Sequence, residues 1–437
     1  MIKTTLLRAL ATGILATAVP AISHAQIALP PVQVPVLQTP IDLNRTVNGV
    51  LDVTSAEQLR ELKRLRVREL LRTNRTVLEA DPRGAPVVRS EVVALSPTPA
   101  ALELARTAGF EIARTRTLEG LDASIVVLRA PPQMSTRRAL RELQRADPEG
   151  VYDFNHLYFG SGETAASPSS RSDGNESVAL VPSARVGLID GGVDRAHAVF
   201  SHNEIHEHGC ETAMPSEHGT AVASLIAGYA PDFQGAAPGA ALYVADVYCG
   251  AATGGAVDAV ADAFAWLSRE GVPVINVSLV GPANRMLEQI VRIVIARGNL
   301  IVAAVGNDGP SASALYPAAY PGVVAVTAVD AKRRVLLEAC RGSHVGFAAP
   351  GADMQAATLQ QAYAPIRGTS FAAPLVAGLL ALELQQSGSA NVAGAIASLA
   401  TRAIDLGARG EDKIYGKGLV GETLRKPQEP VRLGGVE

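Results

Sequence analysis

The sequence predicts an α/β fold, a mostly parallel sheet with helices on both faces, preceded by a small α+β ferredoxin-like module. Three observations carry that expectation. Beyond residue 178, continuous apolar strands alternate with helices of small residues, which is how a parallel sheet covered on both faces reads in sequence. Residues 86–158 instead follow the order βαββαβ, the ferredoxin-like arrangement. The composition agrees: 48% of the 437 residues are hydrophobic and 19% charged, too apolar for a disordered chain. Aromatic residues make up only 4% while Gly numbers 40, so strands and helices are expected to pack closely over small side chains.

The segments follow in order. Lys3 and Arg8, an apolar stretch over 9–19 and a small-x-small site at Ser23-His24-Ala25 form an export signal over 1–25. Pro20 ends the apolar run well short of the ~20 residues that a membrane span needs. Pro30, Pro31, Pro35 and Pro40 mark an extended linker. Overlapping capping boxes at Thr54-Ser55-Ala56-Glu57-Gln58 precede Leu59, Leu62, Leu65, Leu70 and Leu71, the pattern of an amphipathic helix. Residues 55–75 carry seven Lys/Arg against three Glu, so this helix has a basic face, read as the solvated side of a docked helix. Linker and helix together fill 26–85.

The ferredoxin-like module spans 86–159, with strands over 86–95, 110–118, 123–128 and 151–157 and helices over 99–108 and 135–145. A polar Ser/Gly-rich stretch, 160–177, is expected to be an exposed linker. The large domain, 178–425, has expected strands at 185–190, 241–247, 272–277, 299–305, 323–329 and 345–348. Its expected helices are at 219–228, 255–269, 284–297 and 370–386, and 426–437 is a tail.

Charge and cysteine content narrow the function classes. The net charge is −3 and no basic block stands out beyond the one helix, so nucleic acid has no electrostatic footprint here. Residues 26–160 carry eighteen Lys/Arg against sixteen Asp/Glu, and residues 176–437 carry eighteen against twenty-four, so the two folded parts attract weakly. Cys210, Cys249 and Cys340 allow one disulfide at most, for which Cys210 with Cys249 is favoured because both fall in loops after strands; three buried thiols are the alternative.

Ligands of such sheets sit beyond the carboxyl ends of the strands, so polar residues stranded there draw attention. Asp190 ends the apolar strand Val186-Gly187-Leu188-Ile189; taken alone it is an Asp capping a turn. His218 lies in Glu217-His218-Gly219-Thr220, at the start of a helix, where imidazolium is disfavoured unless an acid partners it. Ser370, in Gly368-Thr369-Ser370-Phe371-Ala372-Ala373-Pro374, begins a helix too apolar to be exposed; by itself it reads as an N-cap. Asn307 follows the strand Ala303-Ala304-Val305, where a neutral amide donor suits a developing oxyanion, or simply an Asn-Asp-Gly turn. Together, Asp, His and Ser are a base-orienter, a base and a nucleophile on one rim of one sheet.

The order Asp…His…Ser, with Asp-Gly-Gly-Val, His-Gly-Thr-Ala-Val-Ala and Gly-Thr-Ser-Phe-Ala-Ala-Pro, resembles the subtilases, the subtilisin-like serine proteases, over about residues 180–420. The resemblance implies a serine endopeptidase with Ser370 as nucleophile, His218 as base, Asp190 fixing the imidazole, and Asn307 with the Ser370 N–H as oxyanion hole. It implies a substrate-binding strand at Ser278, Leu279, Val280 and Gly281 and a pocket wall at Ala304, Val305 and Gly306. Val280 replaces a usual Gly and is expected to narrow the pocket, favouring small residues such as Ala before the cleaved bond. The module at 86–159 resembles a propeptide in topology, acting as folding assistant and intramolecular inhibitor, with self-cleavage expected in the linker between about Phe159 and Val178. A cis Tyr316–Pro317 bond is also implied.

No cofactor and no metal are expected. The loop Tyr229-Ala230-Pro231-Asp232-Phe233-Gln234-Gly235 lacks the family's Asn-rich calcium-binding insertion. The cluster His202, Glu204, His206, Glu207, His208 and Cys210 lacks the His-Glu-x-x-His helix of zinc proteases and reads as a solvated polar loop. The expected partners are protein or peptide substrates and the chain's own propeptide, with no nucleic acid and no membrane span after signal removal. The protein is expected to be a monomer, secreted or periplasmic. The alternative is a catalytically silent subtilase-fold binding or scaffold protein.

Overall fold

Seven strands, all parallel, form the main sheet in the order Val345–Pro350, Val324–Val329, Leu300–Ala304, Val274–Val277, Arg185–Asp190, Ala241–Asp246, Ile205–His208. The structure is a computed structural model that describes residues 56–164, 180–181, 183–251, 253–387 and 391–425. The expected signal 1–25, the Pro-rich linker, residues 165–177 of the expected exposed linker and the tail 426–437 lie outside the described residues.

Alternation along each strand distributes its side chains between two cores. Val186, Leu188, Val274, Val302 and Ala304 face one side, packed with the helices Glu217–Ala227 and Thr369–Ser387. Ile189, Ile275, Val277, Ile301 and Ala303 face the other, against Val257–Arg269 and Arg285–Ala296. A sheet buried on both faces needs apolar residues at every strand position, which is why the strands read as continuous runs. The expected strand and helix positions in this domain all hold elements, and the Tyr316–Pro317 bond is cis. The helix Val392–Thr401 and the hairpin pairing Met354–Ala357 with Tyr363–Arg367 add to them.

The N-terminal module forms an antiparallel sheet in the order Val151–Gly160, Pro86–Leu95, Ala123–Arg129, Glu111–Leu118. Val92, Ala94, Val126 and Leu128 pack with the module's own helices, whereas Val93, Leu118, Ile125 and Val127 join the second core of the main domain. The module's outer sheet face is therefore buried on Val257–Arg269 and Arg285–Ala296. Charge reinforces the docking. Arg114 makes a two-pronged contact with Glu91, at 2.9 and 2.8 Å, and its Nε donates to Asp258 at 2.8 Å across the junction. Burial alone would raise the Asp258 carboxyl, but the Arg114 guanidinium beside it holds it below the usual carboxylate range. Arg116 reaches Asp262 at 3.2 Å on the next turn of the same helix. The basic helix Ala56–Thr73 also contacts the main domain, through a Lys63–Asp308 ion pair.

Two expectations are corrected. Residues 160–164 are not exposed linker: the strand Val151–Gly160 continues through Ser161, which is only 5% exposed, into the short strand Glu163–Thr164. Their polar, small-residue composition carries no trace of the strands, 90 or more residues away in sequence, that pair with them. The histidine cluster is a solvated loop only in part: His202 and Glu204 are exposed, but Ile205–His208 is the edge strand of the main sheet. His206 stacks on Tyr243 and His208 on Trp266, with His208 Nε2 also 3.0 Å from Asp262, so the rings cover an apolar edge. The loop at 229–235 is a tight hairpin pairing Tyr229–Ala230 with Phe233–Gln234. Among the described residues no helix is long and apolar enough to cross a membrane.

Cys210 and Cys249 are joined by a disulfide with a Cα–Cα separation of 5.5 Å, and Cys340 is a buried free thiol that burial pushes up to about 12. Native protein at pH 8 is therefore expected to react with iodoacetamide at no cysteine, unfolded unreduced protein at one, and reduced unfolded protein at three. Mass spectrometry counts the adducts, and an adduct on the native protein would contradict this assignment.

Arg114→Ala leaves Glu91 and Asp258 buried without their cation. It should lower the stability of the intact chain by about 3 kcal/mol or more above pH 5. Because the Asp258 carboxyl is depressed on folding, the contribution is present above its ordinary value of 3.8 and fades as pH falls below it. Thermal unfolding at pH 7 and pH 3 checks both; an equal loss at the two pH values would contradict the electrostatic account.

Candidate active site

Asp190 and His218 meet where a buried strand ends beside a helix start. Asp190 is fully buried, and its Oδ1 accepts from the Gly191 N–H at 2.7 Å and stands 2.8 Å from His218 Nδ1. An ionised carboxylate only accepts, so Nδ1 carries the proton and Nε2 is left with a free lone pair. Nε2 has no hydrogen-bond partner among the described residues. The helix Glu217–Ala227 is fixed by Ser216, whose hydroxyl caps the Gly219 N–H at 2.9 Å.

Asp246, which the sequence did not single out, sits one strand over in register with Asp190. Burial, and secondarily the charge of Asp190, pushes the Asp246 carboxyl up, while its Oδ1 accepts from the Tyr248 and Cys249 N–H groups. Its carboxylate and the sulfurs of Cys210 and Cys249 lie within 4.8 Å of one another, but the two sulfurs are bonded together and are not metal ligands.

Ser370 lies in the first turn of Thr369–Ser387 and is fully buried. Pro374 has no N–H to bond the Ser370 carbonyl four residues back, and that carbonyl accepts from Ser278 Oγ at 2.9 Å instead. Ser370 Oγ in turn donates to the Ser278 carbonyl at 3.0 Å. Thr369 orients the amide of Asn307. Its N–H and Oγ1–H both donate to Asn307 Oδ1, at 3.1 and 3.0 Å, which leaves Nδ2 aimed away as a donor.

That donor meets the chain's own backbone. The Ser161 carbonyl oxygen accepts from Asn307 Nδ2 at 2.6 Å and from the Ser370 N–H at 3.1 Å. The Ser161 N–H lies 2.9 Å from Ser370 Oγ, and the two serine hydroxyls are 2.8 Å apart. Gly368, at φ +138°, permits this approach. A Cβ there would fall 2.6 Å from Asn307 Nδ2 and 2.8 Å from the Ser161 oxygen.

On one side of Ser161, Leu279–Val280 pairs antiparallel with Phe159 and Gly160, and Gly255–Ala256 pairs with Leu157 and Tyr158. On the other side, Glu163–Thr164 pairs with Ile366 and Arg367. Of the residues expected to bind substrate, Ser278 through Gly281 thus line this strand. Ala304, Val305 and Gly306 are buried, with Val280 Cγ1 and Leu315 Cδ1 crowding the open face of Gly306. Sequence reasoning missed Thr369, Asp246 and Leu315, which act through neighbours distant in sequence.

Residues 183–418 match the family model described as the subtilase family. The chain belongs to that family. It carries a subtilisin-like serine peptidase domain, and this subtilase is 34% identical over 247 residues to M-protease of Shouchella clausii and to subtilisin BL of Lederbergia lenta. Each match takes in 54% of the chain, with 62% of M-protease and 88% of subtilisin BL. Among solved structures, fervidolysin from Fervidobacterium pennivorans, a keratinolytic enzyme, superimposes with a TM-score of 0.62 at 20% identity, covering 80% of this chain and 62% of that one. At that identity the likeness concerns the fold alone. The prenylagaramide maturation protease PagA superimposes with a TM-score of 0.50 at 26% identity, covering 56% of this chain and 94% of that one.

Proposed function

We propose that this subtilase is an exported serine endopeptidase made as a precursor, and that its first substrate is its own Ser161–Gly162 bond. One observation carries the reading: the carbonyl oxygen of that bond lies between two convergent donors, Asn307 Nδ2 and the Ser370 N–H, beside the Ser370 hydroxyl. In the precursor, Ser370 Oγ rests against the Ser278 carbonyl rather than on His218, so the reaction begins with a rotation about χ1 of Ser370.

His218 Nε2 then removes the hydroxyl proton as Oγ bonds to the Ser161 carbonyl carbon, and the Asp190 carboxylate stabilises the imidazolium through Nδ1–H. The negative charge that develops on the Ser161 oxygen is met by donors already in place. Collapse breaks the C–N bond, with Nε2–H delivering its proton to the Gly162 nitrogen. Water, deprotonated by the same imidazole, adds to the ester carbonyl; the bond to Ser370 Oγ then breaks, Oγ takes the proton back from Nε2–H, and Ser161 leaves as a carboxylate. Residues 157–161 remain paired with Leu279–Val280 and Gly255–Ala256, so the cut module stays in the cleft as an inhibitor until it is removed. The leading signal and the Cys210–Cys249 disulfide support export to an oxidising compartment, secreted or periplasmic.

Wild-type chain is expected to yield a fragment whose first N-terminus is Gly162, and Ser370→Ala to remain uncut there. Intact-mass measurement over a processing time course tests this; cleavage of purified Ser370→Ala after Ser161 would show that an outside protease makes the cut. Asn307→Ala should lower kcat on peptide substrates about 10²–10³-fold with little change in KM, the magnitude known for losing one such donor in a subtilisin, a relative of this protein. A loss below threefold would remove Asn307 from the oxyanion site.

A further inference from the structure

We infer that this subtilase demands glycine immediately after the bond it cuts, that Phe371 imposes the demand, and that its substrates are small-residue segments of the pattern Gly-small-Gly cut before the second Gly. The inference rests on reading residues 157–164 as the first substrate. A Cβ on Gly162 would lie 2.5 Å from Phe371 Cε2, closer than nonbonded carbons approach, and at tight distances of 3.0 Å from Cζ and 3.2 Å from Cδ2.

The obstacle is a ring that cannot step aside. Phe371 is fully buried, the third residue of Thr369–Ser387, packed in the core beneath the sheet. Its ring centre lies 5.5 Å from that of His218. Displacing it strains a close-packed interior and presses on the imidazole that must receive the proton. The side chain two residues upstream is limited more gently, because a Cβ on Gly160 would sit 3.2 Å from His218 Nε2 and Cε1. Between them the Ser161 side chain is buried, its hydroxyl against those of Ser370 and, at 3.4 Å, Thr369. The steric limit is thus hard after the cut, moderate two residues before it, and selects small residues throughout.

Discrimination by a tight apolar wall is worth about 10–200-fold. The test is the rate of the first cut after Ser161 in full-length precursors, with fluorophosphonate labelling of Ser370 in parallel. Gly162→Ala should slow the cut about tenfold and Gly162→Leu about a hundredfold. Phe371→Ala should shrink the penalty of Gly162→Leu at least tenfold in the double variant. Because emptying a buried Phe site endangers folding, Phe371→Leu serves as the second background, with a smaller relief in the same direction. Quenched peptides spanning residues 157–164, with Gly, Ala or Leu in place of Gly162, should rank in the same order with the processed wild-type enzyme. Equal rates for Gly and Leu, in the precursor or in peptides, overturn the inference while leaving the protease reading intact. An undiminished Gly162→Leu penalty in both Phe371 backgrounds overturns the role of Phe371. A wild-type chain that neither labels at Ser370 nor cuts after Ser161 overturns the protease reading and this inference with it.

Discussion

The Ser161 carbonyl oxygen, held at 2.6 Å by Asn307 Nδ2 and at 3.1 Å by the Ser370 N–H, is the contact on which the whole arrangement depends. Two donors converge on one acceptor only if several parts of the chain agree. Thr369 must occupy both lone-pair directions of Asn307 Oδ1, so that Nδ2 has no other choice of orientation. Pro374 must leave the Ser370 carbonyl free for Ser278, tying the helix start to the segment that leads into Leu279–Val280. Gly368 must lack a side chain where its backbone meets that of residues 161–162 and the Asn307 amide. In the proposed self-cleavage each condition is met before any charge develops on the oxygen, so none of this reorganisation would fall within the chemical step.

The same contact requires the N-terminal module to dock in one register, and buried charge supplies much of that demand. Arg114 bridges Glu91 on its own sheet and Asp258 on the first turn of Val257–Arg269, where a carboxylate also suits the helix dipole. A buried ion pair adds little net stability against an apolar alternative, because desolvation offsets its attraction. Separating the partners is a different matter, since each charge would be left alone in a dry interface. The apolar outer face of the module supplies adhesion without direction. Arg114, Arg116, and the Asp153 carboxylate that accepts the Arg285 N–H at 2.7 Å supply position.

Position is what the cleft needs. A shift of one residue along Val151–Gly160 would move the Ser161 carbonyl out of reach of its donors and bring a different residue against Phe371. A one-residue slip in a strand also turns every side chain to the opposite face, so Tyr158, buried with its hydroxyl donating to the Pro282 carbonyl at 2.8 Å, resists such a slip. Docking, register and the close approach of Gly162 to Phe371 are thus one constraint seen at successive points of a single extended segment.

What the sequence by itself determined was local. Continuous apolar runs from Val186 to Phe347 mark a sheet buried on both faces, because a parallel strand has no solvent side on which to place polar residues. The polar residues at strand ends and helix starts, Asp190, His218, Asn307 and Ser370, stand out because such ends are where an apolar layer admits function. The tertiary structure decided what those residues touch. Residues 160–164 look like exposed linker because strand pairing with Leu279–Val280 and Tyr363–Arg367 leaves no periodic mark on so short a polar stretch. The histidines near residue 206 look solvated because nothing in their own segment announces Tyr243 and Trp266 beneath them. Asp246 and Thr369 escape notice for the same physical reason: hydrogen bonds and packing join atoms close in space, and pattern along a chain records only the elements that bring them there.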